Sequence, residues 1–195
     1  MKNSQAKEMV LVFILTVLSV IVSIAHFIFM SFDLKEVFWI ILNIVIAAIF
    51  IIFYSLRMQK GVFYTAVALF SFNAIYHLIL APREFVSFGE GDVLESISSL
   101  LYVISTGFLF LSYLGSLSSA VLERKRLFNF SIFGLFASAV FSFLQGIIMI
   151  FICNSGLKSW DACFPPLSQT LTFVTLAVIY LGDYIKESFK FLKDE

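Results

Sequence analysis

Two histidines, two cysteines and one acidic run are the groups in this chain whose types could do chemistry. His26 and His77 are the only histidines, and each lies within about one turn of the same end of its apolar run. Imidazoles at matched depth on two helices could hold a metal or act as the axial ligands of a b-type haem. Amides share that depth: Asn43, Asn73 and Gln145, with Asn73 and His77 four residues apart on one helical face. Uncharged polar groups in apolar runs usually face neighbouring helices and bond one another. The bland reading is therefore interhelical hydrogen bonding. The functional reading is a cavity, open to one side, that takes a small solute or cation.

Glu90, Asp92 and Glu95 flank Gly91 in a connection between two apolar runs. An oxygen-only cluster suits Ca²⁺ or Mg²⁺, although the spacing is not that of an EF-hand. A structural explanation competes with it: Asp92 is placed to cap the following helix, with Glu95 three residues on in its first turn. Cys153 and Cys163 bracket a short polar loop. A disulfide there would fix the approach to the last apolar run; two free thiols are the alternative, and no C-x-x-C marks redox catalysis. No H-E-x-x-H, G-x-S-x-G, P-loop or dinucleotide glycine motif occurs. An enzyme is not expected.

The elements that must position these groups are apolar helices. The chain is 61% hydrophobic and 13% charged, with mean hydropathy +1.00, against about 45–50% and about 25% in soluble domains. Charge-free runs fall at about 9–30, 37–56, 61–80, 96–122, 128–153 and 167–182. Each approaches or exceeds the roughly 20 residues needed to cross a hydrocarbon core. The expectation is an all-α bundle of six transmembrane helices forming one membrane domain over 1–195. With no Asp, Glu, Lys or Arg inside a run, an intramembrane proton relay is not expected. The first run is longer than a signal-peptide core and lacks a small-residue cleavage site, so it reads as a retained span.

Lysine and arginine set the orientation. With the N-terminus cytoplasmic, that side holds ten of the thirteen and the other side Lys35, Arg83 and Lys158. Both termini are then expected inside, in a plasma or inner cell membrane. Zero net charge gives no bulk attraction to nucleic acid. The expected partners are the bilayer, a small solute or cation, and a further copy or another membrane protein that would make this chain a subunit or sensor.

Small and polar residues mark helix faces. Thr16, Ser19, Ser23, His26 and Met30 share a face of the first run. Ser98, Ser105, Ser112 and Ser119 recur every seven residues, an interval that favours left-handed packing. Gly134, Ser138, Ser142 and Gly146 allow close backbone approach; Ser168, Thr172, Thr175 and Gly182 line up in the last run. Packing is the simplest account of all of them, and a polar conduit is the alternative. Pro82, Pro165 and Pro166 fall between runs, and Pro166 fits the first turn of a helix.

The segment Glu90-Gly91-Asp92-Val93-Leu94-Glu95-Ser96-Ile97-Ser98-Ser99 resembles the E-D-G-x-x-E-x-[LI]-[TS] segment that opens a transmembrane helix in a group of small, uncharacterised bacterial polytopic membrane proteins. Gly and Asp are exchanged relative to that pattern, and the group's later Trp-Gly-Gln-Arg stretch is missing. The resemblance implies a polytopic membrane fold and brings no activity with it.

Overall fold

The computed structural model describes residues 2–29, 34–56, 58, 61, 65, 67–68, 75, 79, 92–122 and 125–181. Its regular elements are all helical among these residues: α1 (Lys2–Phe29), α2 (Leu34–Ser55), α3 (Val93–Leu122), α4 (Lys125–Asn154), a 3₁₀ turn (Trp160–Cys163) and α5 (Phe164–Leu181). Between α2 and α3, the described positions Gly61, Thr65, Val67, Ala68, Ile75 and Ile79 are also helical.

Three helices are long and apolar enough to cross a membrane, over Val93–Ser119, Arg126–Asn154 and Phe164–Leu181, and Val10–Ala25 is a shorter apolar stretch. The chain is a membrane protein. Its outward faces agree: Phe130, Phe133, Phe136, Val140 and Phe143 on α4 and Val10, Phe13, Val17, Ile21 and Ile24 on α1 are exposed. Stripes of this size would be untenable in water and are ordinary against lipid.

The helix ends follow local chemistry. Asp92 caps α3: its Oδ1 accepts from the Val93 N–H at 2.7 Å, and its carbonyl accepts the Ser96 N–H at 3.0 Å. The helix therefore starts three residues before the apolar run. Glu95, in that first turn, faces Lys158 of the α4–α5 connection at 3.5 Å. α4 ends in a Schellman motif, with Leu157 N–H on the Ile152 carbonyl, Gly156 N–H on the Cys153 carbonyl, and Gly156 at φ +79°. Only glycine takes that backbone conformation without cost. α5 begins at Phe164, so Pro165 and Pro166 occupy its first turn, where a missing N–H leaves nothing unsatisfied.

The helices pack as a succession in space: α3 lies chiefly on α4, α4 on α5, α5 on α1, and α1 on α2. α5 is thus the keystone, joining the two halves of the chain. Phe173, Leu176, Ala177, Ile179 and Tyr180 of α5 are buried with Val12 of α1, Leu109 of α3, and Phe128, Leu135 and Ala139 of α4. Phe53 and Val67 pack on the same cluster.

Candidate functional site

Two seams of hydroxyl-bearing residues run through this bundle, and they differ in what the hydroxyls do. On α3, Ser98, Ser105, Ser112 and Ser119 are all buried, as are Ser131, Ser138 and Ser142 on α4. Ser105 Oγ donates to the Ser138 carbonyl at 2.9 Å, and Ser138 Oγ donates back to the Ser105 carbonyl at 2.8 Å. One heptad away Ser112 and Ser131 repeat the exchange. Between these rungs and just past them the backbones nearly touch. A Cβ added at Gly134 would meet the Phe108 carbonyl oxygen at 2.9 Å, and one at Gly115 would meet the Leu127 carbonyl oxygen at 3.0 Å. Ser116 reaches on to Tyr180 at 3.4 Å, tying the seam to α5. The seam is closed and holds α3 to α4.

The second set lies where α1, α2 and α5 meet. Thr16 donates to its own helix at the Val12 carbonyl (2.8 Å), Thr172 to Ser168 (2.9 Å) and Thr175 to Leu171 (2.7 Å). Each of these three protons is committed four residues back along the same helix, so none of the three crosses to a neighbour. The helices stand apart and leave a cavity of about 40 Å³, lined by Thr16, Ser19, Ala47, Thr172, Thr175, Leu176 and Ile179. Its wall is almost wholly carbon. A single water needs roughly 10–15 Å³ of such space, so the cavity has the volume of about three waters. It lies near the middle of both apolar stretches, Val10–Ala25 and Phe164–Leu181.

Three polar side-chain atoms are buried without a hydrogen-bond partner among the described residues: Thr106 Oγ1, Gln145 Oε1 and Gln169 Nε2. Gln169 stands one turn from Thr172 on α5. Gln145 is one heptad beyond Ser138 and so continues the α4 seam in register with Ser98. A buried amide left unpaired costs free energy, and such groups call for water or a ligand.

The residues expected to form an outer site are placed unevenly. Asp92 is exposed and Glu95 half-buried at the start of α3, while Gln145 is buried within α4. His26 and Asn43 lie on α1 and α2, but their side chains, and Asn73, His77 and Glu90 altogether, are outside the described residues. In helical register His26 continues the Ser19–Ser23 face of α1, and Asn43 stands one turn before Ala47. The haem reading, which needs both imidazoles, therefore rests on the sequence alone. Among the described residues no group of three His, Cys, Asp or Glu side chains could hold a metal ion.

The Thr16–Ser19 and Thr172–Thr175 stripes are expected from the sequence as packing faces, with a polar conduit as the alternative; Ala47, Thr106 and Gln169 are not among the expected site residues. The usable signal was a pair of hydroxyl stripes at mid-span in the first and last runs, flanked by an amide at Gln169. Comparison with family models, with curated proteins and with solved structures finds no match to this chain.

Proposed function

We propose that this protein is a six-span membrane protein, with both termini cytoplasmic, that binds and passes a small uncharged solute through the cleft between α1, α2 and α5. The cleft at mid-span is the observation that carries the reading. Solute sites of membrane carriers commonly lie at such depth, where opposing helices can part to either side. The six-span count and orientation are supported by the apolar run at 61–80, by the helical positions between α2 and α3, and by the ten-to-three bias of lysine and arginine.

Charge complementarity decides between a neutral solute and a cation. Among the described residues no charged side chain lines the cleft. The hydroxyl protons of Thr16, Thr172 and Thr175 are spent on helix carbonyls. An ion stripped of water would find mostly carbon, a cost of many kcal/mol. A neutral molecule of a few heavy atoms loses far less, and the outer face bearing Asp92 and Glu95 does not need to ligate it.

Stopped-flow permeability of proteoliposomes to water, urea and glycerol tests the proposal. The wild-type protein raises permeability to at least one of the three above protein-free vesicles, and Ala47→Phe, which fills the cleft, removes the increment. Permeabilities equal to empty vesicles for all three, or an increment that Ala47→Phe leaves intact, would contradict it.

A further inference from the structure

We propose that Cys153 and Cys163 are a closable thiol pair, converted to an intramolecular disulfide by exchange with a small-molecule or protein disulfide, which fastens the end of α4 to the start of α5. The two sulfurs lie 3.3 Å apart, both residues are buried, and no disulfide joins them. A covalent S–S bond needs about 2.05 Å, so the sulfurs have little more than about 1 Å to close.

The approach is built by local structure and does not depend on chance proximity in a long loop. The Schellman turn at Gly156 reverses the chain at the end of α4. The 3₁₀ turn Trp160–Cys163 then carries Cys163 back over the last turn of α4, where Met149, Ile152 and Cys153 pack with it and Leu94 of α3. Cys153 Sγ donates to the Ser159 carbonyl at 3.1 Å, which steadies the reduced form. The cover over the thiols is thin, because residues Ser155 to Trp160 are all exposed. Among the described residues, Lys158 on this loop holds a half-exposed contact to Glu95, an interaction worth little, so the loop can lift and admit an oxidant.

The step balances as ordinary exchange. One cysteine loses its proton and attacks a sulfur of the incoming disulfide, expelling a thiolate and leaving a mixed disulfide on this chain. The second cysteine, deprotonated in turn, attacks that mixed disulfide at this chain's sulfur and expels the second thiolate. Two hydrogens leave the protein, and the oxidant is reduced to two thiols. The 3.3 Å separation makes the second attack intramolecular and fast relative to a further bimolecular encounter.

The full-length protein in lipid nanodiscs is incubated with excess oxidised glutathione, quenched with N-ethylmaleimide and weighed by intact mass spectrometry. The pair predicts a species lighter by two hydrogens, with neither cysteine alkylated, that dithiothreitol returns to two alkylated thiols. Cys163→Ser, lacking the resolving thiol, accumulates a single glutathione adduct on Cys153. Wild-type protein that keeps two alkylatable thiols, that carries stable glutathione adducts, or that cross-links between chains would overturn the proposal. This experiment is independent of solute passage, so its failure leaves the cleft reading standing and the reverse also holds.

Discussion

The α3–α4 seam and the α1–α5 cleft use the same residue types for opposite ends. In the seam, serine hydroxyls cross between helices and are answered by hydroxyls crossing back, with Gly115 and Gly134 letting the backbones close. In the cleft, threonine hydroxyls turn back on their own helices and the walls stay apart. Serine is short enough to bond a neighbouring backbone at close range. Threonine's hydroxyl here bonds its own helix and gives its neighbour no crossing proton. In lipid, where no hydrophobic force draws apolar helices together, that choice decides whether two helices fuse or leave space.

Enlarging a residue should break the two regions unequally, and this is the largest expected effect. Gly134→Leu drives a side chain into the α3 backbone and should cost about 3 kcal/mol or more. Ser19→Leu fills existing space and should change stability by less than about 1 kcal/mol. Both are read by reversible unfolding in mixed detergent micelles. Equal losses would erase the distinction.

Removing hydroxyls should sharpen it. Ser105→Ala and Ser138→Ala are each expected to cost about 1 kcal/mol, and the double variant less than the sum, since the rungs are reciprocal. Thr172→Val, whose hydroxyl bonds only its own helix, should stay within about 0.5 kcal/mol of wild type. If Thr172→Val costs as much as Ser105→Ala, that hydroxyl spans helices after all. Smallest of all is Lys158→Ala: its half-exposed contact with Glu95 should contribute less than about 0.5 kcal/mol, checked in the same assay.

The parts legible in the sequence are those written along a single helix. The heptad of Ser98, Ser105, Ser112 and Ser119 names a packing face because periodicity alone puts those residues in one line. Asp92 announces its cap, and Pro166 its first turn, through local backbone chemistry. The cleft was not legible, because it depends on α5 lying against α1, a neighbour relation between chain ends that no stripe encodes. Before that relation is known, Thr16–Ser19 and Thr172–Thr175 look no different from the serines of the seam. Gln145 shows the same limit. Expected from its depth to line a cavity, it falls on the serine register of α4, and its oxygen has no partner among the described residues.

Cysteine accessibility tests the open cleft against the closed seam most directly. In a Cys153→Ala, Cys163→Ala background, Thr172→Cys and Ser138→Cys are each exposed to a small neutral methanethiosulfonate in proteoliposomes. Modification of position 172 with protection of position 138 is the predicted result. Equal protection of both, or faster reaction at 138, would contradict it.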